Sequence, residues 1–460
     1  MVELERRIQK AEYPSNWMYL VALVSVCVLL VGLFTGSLLS FLDAVIIAVI
    51  GFIVMSRVGV SMAKPVDSSW LPAMVAVGYL AKIIASLGRY LVLFEFYGGG
   101  GDAIGYQGSG VQFAPLWRSF QVPPGMDIGT GFVNGLTGLI YVPFIPSMLG
   151  GFFIFATIAF IGQLLMYAAF RRTVRPRRLK WYAMAIFFIP AITYWPSSIG
   201  KESLMFLGIG LAAYGASLFL NRGGIKPLVF MAAGLGFAGA IRPHVSALII
   251  GSLAVTLVFA GGRNSLGMSP WLRWAAVLAV GAASFFLVTF ALKEFNIDLS
   301  GDVGTEVDEF IGTVEDNTSK GGSEVDGGAV TGIQDIPGAA LRVLFRPLPY
   351  EAHNAAAMAS ALESALILIV LLWRSPRIIK NLRYIRRDPY ILMCLVMTIG
   401  FIIMFSPFLN LGLLARERSQ ILPFLAALII QLGWDFPDKR AETDGGETTG
   451  QSVLPISYAP

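Results

Sequence analysis

Runs of about twenty mostly apolar residues recur from Trp17 to Gly433, each long enough to cross roughly 30 Å of hydrocarbon as a helix. Inside lipid a backbone must satisfy its own N–H and C=O groups, so such runs specify helices and not loops or open strands. Composition agrees: 56% of the 460 residues are hydrophobic, the mean hydropathy is +0.70, and only 14% are charged, against about a quarter in soluble domains. The expected fold is all-α, a polytopic transmembrane bundle of about twelve spans with outer juxtamembrane helices. It forms one domain over residues 1–434, followed by a polar tail at 435–460, rich in Gly, Thr, Asp and Glu, that is predicted to be disordered and cytoplasmic.

The expected spans are 17–36, 39–56, 71–95, 149–170, 181–196, 203–220, 227–241, 245–261, 271–292, 356–373, 390–409 and 419–434. Two loops are strongly basic, RRTVRPRRLK at 171–180 and RSPRIIKNLRYIRRD at 374–388. The positive-inside rule makes both cytoplasmic. The spans between them are even in number, which puts both loops on one side and both termini in the cytoplasm. The N-terminus opens with Arg6, Arg7 and Lys10 before an apolar run, as a signal peptide does. That run outlasts signal-peptide length without a small-residue cleavage site, so it reads as a retained span.

Several function classes find no support. The net charge of +5 comes from basic residues gathered in the loops between spans, which fits anionic lipid headgroups better than nucleic acid. Cys27 and Cys394 both lie in apolar runs and offer no disulfide framework, and the only histidines, His244 and His353, exclude a histidine-rich metal centre. There is no Walker A sequence, no zinc spacing and no GxSxG.

Threading the spans alternately brings the chemically unusual residues to one outer face. Two long outer segments result, 96–148 and 293–355. The first contains a half-apolar piece interrupted by Pro143 and Pro146, read as a re-entrant or interfacial helix; the second contains an acidic, Gly-rich stretch from Glu294 to Asp335, read as a mobile loop. In GGGGDAIGYQ (98–107) the glycines permit tight turns, Asp102 is placed to take a proton from an acceptor hydroxyl, and Tyr106 to orient it or stack on a sugar; the bland alternative is an Asp that caps a helix. Lys82 and Arg89 are seven residues apart in the third span, with Arg89 a phosphate contact or both residues snorkelling or held in a structural ion pair. In YWPSSIGKES (194–203) a helix restarts after Ser197 or Ser198, giving a helix N-terminus with Lys201 as a phosphate or pyrophosphate seat and Glu202 pairing with Lys201 or holding another basic residue, or merely a capped turn with a neutralised pair. AIRPHVS (240–246) carries Arg242 for phosphate and His244 as a donor, or an interfacial anchor. LFRPLPYEAH (344–353) places Arg346, Glu351 and His353 at the mouth of the tenth span, with Glu363 buried further in. ARERSQ (415–420) brings Arg416 and Arg418 to the outer face against the orientation rule, calling for a phosphate or pyrophosphate partner or a salt bridge to the acidic loop.

Asp102 with Tyr106, the P-S-S-x-x-K-E stretch at 196–202 and the outer arginines of the C-terminal half together resemble the C-type glycosyltransferase superfamily, polytopic enzymes that use polyprenyl-phosphate-linked sugars. The chain is also similar to multi-span proteins of bacterial surface-polysaccharide loci, including polymerases of the Wzy and EpsG kinds. In many C-type enzymes the acidic residue follows the first span; here it follows the third. No large soluble domain follows the spans, unlike in oligosaccharyltransferases.

The resemblance implies a membrane glycosyltransferase or glycan polymerase in the bacterial inner membrane, its active site facing the periplasm or exterior. Asp102 is the expected catalytic residue. Arg89, Lys201, Arg242, Arg346, Arg416 and Arg418 are the expected donor-phosphate ligands, and Tyr106, Glu202, His244, Glu351 and His353 are expected to bind or orient sugar and acceptor. The implied partners are a lipid-linked sugar donor, a glycan or lipid-linked acceptor and membrane lipids, not nucleic acid. A divalent metal, Mg or Mn, bound through Asp102 and other outer carboxylates is left open, since polymerase-like relatives need none. The alternative is a transporter or flippase of lipid-linked glycan, which would place its charges near mid-membrane and show repeated halves.

Overall fold

The computed structural model describes residues 38–64, 68–96, 98–173, 176–222, 225–260, 328–330, 332–352 and 354–434, with the single residues 278, 281, 312 and 314. The expected spans 17–36 and 271–292, most of the acidic stretch 294–335, the tail 435–460, Cys27 and His353 lie outside the described residues.

Among the described residues every regular element is helical. The first part contains α1 (Leu38–Ala63), α2 (Leu71–Leu91, continued by a π turn at Val92–Phe96), α3 (Asp102–Arg118), α4 (Thr130–Ile140) and α5 (Met148–Arg171). The middle contains α6 (Pro176–Phe188), α7 (Pro190–Tyr194), α8 (Lys201–Arg222), α9 (Ile225–Ile241) and α10 (Pro243–Phe259). The last part contains α11 (Ile336–Phe345), α12 (Ala355–Leu382), α13 (Pro389–Phe405), α14 (Leu411–Arg418) and α15 (Leu422–Leu432). Among the described residues, α1, α2, α5, α8 and α12 are the five helices able by length and composition to cross a membrane; α9, α10, α13 and α15 are apolar but shorter.

Two expectations change. The outer segment 96–148 holds two helices, α3 and α4, packed against each other. The half-apolar piece accounts only for α4, which ends at Ile140, three residues before Pro143. The expected span 181–196 is broken, because Pro190 has no N–H to give and its ring cannot continue α6.

That break explains several of the polar residues placed within apolar runs. Pro190 orphans the carbonyl of Ile186, and Gln163 Nε2 of α5 donates to it at 3.0 Å and to Ile192 O at 3.2 Å. Thr193 Oγ1 donates to Phe187 O at 3.2 Å, and the Ala191 N–H donates to Glu363 Oε2 of α12 at 2.8 Å. Lys82 Nζ reaches Ile192 O at 3.2 Å, and Ser86 Oγ reaches Ser197 O at 2.7 Å, both from α2. Freed backbone groups at membrane depth are tolerated only when neighbours satisfy them. Lys82 and Glu363 do that work, in line with a structural reading of both.

The centre of the bundle is α8, packed between α5 and α9 through glycines. A Cβ at Gly162 would lie 2.1 Å from Phe206 O, one at Gly210 would lie 2.5 Å from Gly162 O, and one at Gly234 would lie 2.3 Å from Ala212 N. Small residues let backbones approach closely where lipid supplies no hydrophobic drive between helices.

The helices have two unlike ends. At one, both basic loops meet the close of α15: Arg178 donates to Gln431 O at 2.8 Å, Arg374 to Gly433 O at 3.3 Å, and Asn381 to Leu432 O at 2.7 Å. Arg171 reaches Met62 O at 2.7 Å and Arg386 reaches Phe259 O at 2.9 Å at this same end. The sequence expectation that loops 171–180 and 374–388 share a side agrees with these contacts. At the opposite end α3, α8, α10 and α14 bring their charged residues together.

Gly162→Val should lower the melting temperature in detergent, overpacking costing about 1–3 kcal/mol. Gly236→Ala, where an added Cβ meets nothing within 4 Å, should match or exceed the wild type. Equal melting of Gly162→Val and wild type would contradict this packing.

Candidate functional site

The charged end is organised around one guanidinium. Arg242 sits in extended backbone between α9 and α10, where Pro243 ends one helix and opens the next. Its Nη2 donates to Glu202 Oε1 at 2.9 Å, and its Nη1 is bonded to Glu417 Oε2. All three side chains are buried. Glu417 Oε2 also accepts from Gln420 Nε2 at 2.7 Å. The network ties the start of α8, the α9–α10 turn and the end of α14.

Arg416 extends this network toward the surface. Its Nε lies 3.0 Å from Glu202 Oε1 and 3.6 Å from Glu417 Oε1. Nε nevertheless has no aligned hydrogen-bond partner, so these are charge contacts and not directed bonds. Its Nη1 lies 3.9 Å from Asp102 Oδ2, and the Asp102 side chain is 74% exposed. Asp102 is the first residue of α3, while the cap position belongs to Gly101, whose φ of 141° falls in a region favourable to glycine. The helix-cap alternative for Asp102 therefore gives way to an open carboxylate beside a cation.

Lys201 opens α8 immediately after Gly200, whose φ is 154°. Arg242, Glu202, Asp102 and Arg416 are all within electrostatic reach of its ammonium. It makes no hydrogen bond or ion pair among the described residues, so Glu202 neutralises Arg242 and Arg416 rather than its own neighbour. Arg89, at the end of α2, donates from Nε to Ser198 Oγ at 2.7 Å, and its guanidinium lies 5.3 Å from the Tyr194 ring and 5.0 Å from the Trp195 ring. Ser198 thus receives Arg89, and Ser197 Oγ turns back to Thr193 O, so the two serines brace the break in the chain.

Tyr106 lies one turn beyond Asp102 on the same face of α3. It is buried, with its ring against Gly200, where a Cβ would stand 3.5 Å away. It is not open for a sugar to stack on, which corrects that part of the expectation. Burial pushes its hydroxyl above the ordinary tyrosine range, against a hydrogen bond with Thr130. The Gly129 N–H donates to Ala240 O at 2.9 Å, so the loop before α4 docks on the α9–α10 turn beside Lys201. His244 is half-buried within reach of Arg242 and Lys201, its ring edge-on to Phe405 at 6.1 Å.

Two expected phosphate ligands have other tasks. Arg418 is buried and donates to Leu344 O and Arg346 O, each at 3.0 Å, and to Ser360 Oγ at 3.2 Å. Arg346 pairs with Glu351 Oε1 at 2.5 Å, and Glu351 Oε2 accepts the Leu348 N–H at 2.7 Å. These residues hold the approach to α12, next to the charged cluster in sequence through Arg418. Arg242 is likewise occupied by two carboxylates and positions Glu202 and Glu417, leaving no free fork for a phosphate. Consecutive helix residues point about 100° apart, so only one residue of the Arg416–Glu417–Arg418 run faces Asp102.

Glu417 and Gln420 are not among the sequence candidates, although Glu417 stands between two arginines just before an apolar run. Among the described residues no three His, Cys, Asp or Glu side chains are placed to hold a metal ion. The carboxylates nearest Asp102 are held by arginines, so this donor set does not fit Mg or Mn.

No protein-family model matches the chain, and the comparisons with curated proteins and with solved structures give no match.

Arg242→Met should destabilise by about 3–5 kcal/mol, because it strands two buried carboxylates. Asp102→Asn, at an exposed position, should stay within about 0.5 kcal/mol of the wild type. Thermal melting of both variants checks the contrast, and a silent Arg242→Met would contradict the buried network.

Proposed function

We propose that the protein is an integral-membrane glycosyltransferase or glycan polymerase that takes sugar from a polyprenyl-(pyro)phosphate donor at the outer face of the plasma membrane. Surface-polysaccharide assembly is the process in which such a reaction serves. The reading rests on one observation above the rest: the open carboxylate of Asp102 lies beside Arg416, whose other contacts are the buried Glu202 and Glu417, with Lys201 unpaired alongside. A base and spare positive charge side by side, at the end of apolar helices, suit an acceptor hydroxyl and an anionic leaving group delivered by a lipid.

Asp102 accepts the proton of the acceptor hydroxyl as its oxygen attacks the anomeric carbon. The bond from that carbon to the donor's phosphate oxygen breaks, and the electron pair leaves with the phosphate. Lys201 and Arg416, with Arg89 behind them, stabilise the charge that grows there, and stabilisation aimed at developing charge is the most effective kind. Arg242 acts as a positioning residue by fixing Glu202 and Glu417, which aim Arg416. The basic end of the bundle faces the cytoplasm in this reading, as the positive-inside rule requires. In this reading the broken α6–α7 segment and the shorter apolar helices α9, α10, α13 and α15 contribute further membrane crossings.

A transporter of lipid-linked glycan is the second reading, favoured by the helix broken at Pro190, a feature that transporters use to bind substrate at mid-membrane. Here the freed groups Ile186 O, Phe187 O, Ala191 N and Ile192 O are already bonded to Gln163, Thr193, Glu363 and Lys82. The break is thus occupied by the protein itself, and the accessible charge lies at the end.

Reconstituted protein supplied with a polyprenyl-pyrophosphate-linked glycan should release polyprenyl pyrophosphate and elongate the acceptor. Asp102→Asn should slow this by about 10²–10⁴-fold, the usual worth of general-base help. A loss below tenfold would remove Asp102 from the reaction. Movement of intact lipid-linked glycan across the bilayer without bond cleavage would replace the enzyme with the transporter.

A further inference from the structure

The helix α3 closes on a Schellman turn. The Gln121 N–H donates to Leu116 O at 2.9 Å and the Phe120 N–H to Trp117 O at 3.0 Å. The residue after the cap in such a turn takes a left-handed backbone and is usually glycine. Here it is Phe120, with a φ of 55°, and among the described residues it is the one residue other than glycine with a positive φ. A bulky side chain in that conformation is a genuine outlier. Phe120 is 97% exposed, and Val122 is 71% exposed. The ring therefore gains nothing from the core, and the turn itself would favour glycine. An observed outlier of this kind is a pointer to function.

A second apolar pair comes to the same place. Arg118 donates from Nε to Val142 O at 2.9 Å and from Nη2 to Tyr141 O at 3.2 Å, which ties the end of α3 to the loop after α4. Phe144 and Ile145 in that loop are exposed. The same loop fixes the height of this edge on the bundle. Ser147 donates to the Asp43 carboxylate of α1 through its N–H at 2.6 Å and its Oγ at 2.7 Å. The Tyr141 hydroxyl abuts Gly151 in the first turn of α5, where a Cβ would lie 2.5 Å from it. Both α1 and α5 are long and apolar enough to cross a membrane, and Leu42 and Ile46, beside Asp43 and one turn beyond Leu42, are exposed. The two apolar pairs thus stand level with the ends of α1 and α5. No charged residue occurs at 119–126 or at 128–147, so this edge leaves water without stranding a charge.

We propose that this edge is an interfacial anchor, with Phe120, Val122, Phe144 and Ile145 inserted into the lipid leaflet at the charged end of the bundle. Exposed apolar patches mark membrane or protein contacts, and two observations select the membrane. The edge continues the exposed apolar face of α1, and its four side chains fall far short of the roughly 20–30 residues a side that a stable protein interface uses. The 17 residues of α3 then run about 25 Å from the anchor back to Asp102, so the anchor sets where that carboxylate stands relative to the bilayer. The proposal rests on the membrane reading of α1 and α5 and not on the proposed reaction.

The test uses full-length protein in which Cys27 and Cys394 are replaced by alanine. Phe120→Cys, Phe144→Cys and, as the reference on α1, Leu42→Cys each carry a nitrobenzoxadiazole label. The protein is reconstituted in phosphatidylcholine vesicles, plain or brominated near the top of the acyl chains, and iodide serves as the aqueous quencher. The labels at 120 and 144 should be quenched by brominated lipid as strongly as the label at 42, and should resist iodide. The unlabelled variants should melt with the wild type because these positions are exposed, and Val122→Cys and Ile145→Cys give a second reading of each pair. Iodide quenching at either pair, with the label at 42 in lipid, would overturn the anchor and leave the crossing of α1 standing. Iodide quenching at all positions would overturn the anchor together with the membrane reading beneath it. Protection from both quenchers would set the edge against protein and overturn the proposal as well.

Discussion

Two carboxylates share one buried guanidinium, and the charged end of this protein depends on that arrangement. Glu202, Arg242 and Glu417 belong to segments far apart in the chain, and each would be costly to bury alone. Together they fix the start of α8, the α9–α10 turn and the end of α14 in one place. A buried ion network of this kind contributes little net stability compared with apolar packing, but losing one member is severe. Its use here is to set direction, because Arg416 emerges from it toward Asp102 with two carboxylates behind it. The exposed part of the site is small, and the part that holds it is fully inside.

The second constraint is the backbone broken at Pro190. A proline in an apolar helix leaves carbonyl and N–H groups that lipid cannot satisfy. The chain meets the demand with side chains from three other helices: Lys82 and Ser86 from α2, Gln163 from α5 and Glu363 from α12. The break ends the α6–α7 segment early enough for Ser197, Ser198 and Gly200 to turn the chain into α8 beside Arg89. Polar residues in the apolar runs and charged residues at the helix ends therefore belong to one structural solution. The first set repairs the helix whose interruption positions the second.

Much of this was legible in the sequence, and for a physical reason. Charged residues near apolar runs are costly, so Asp102, Lys201, Glu202, Arg242 and Arg416 stand out, and the alternation of spans sends them to one end. Sequence adjacency was misleading where helical rotation decides: Arg418 resembles Arg416 in sequence yet faces the carbonyls of 344 and 346. Glu417 was overlooked because its partner is 175 residues away, a distance that no local spacing encodes. The helix α3 enters the sequence reading only through the alternative in which Asp102 caps a helix, since DAIGYQGSGVQFAPLWR has neither a wide apolar stripe nor a strong cap and is held by packing on α4. Span lengths were overstated at 181–196 and 419–434, where Pro190 and the short α15 interrupt runs that composition alone makes continuous.

The central claim is that the Asp102 cluster and the basic loops occupy opposite faces of a membrane, with the cluster outside. Single cysteines at Asp102 and Lys380, introduced where Cys27 and Cys394 are replaced by alanine, would be labelled in intact cells with a membrane-impermeant maleimide. Asp102→Cys should react at once, and Lys380→Cys only after the membrane is permeabilised. Reaction of both from outside, or the reverse order, would contradict the account.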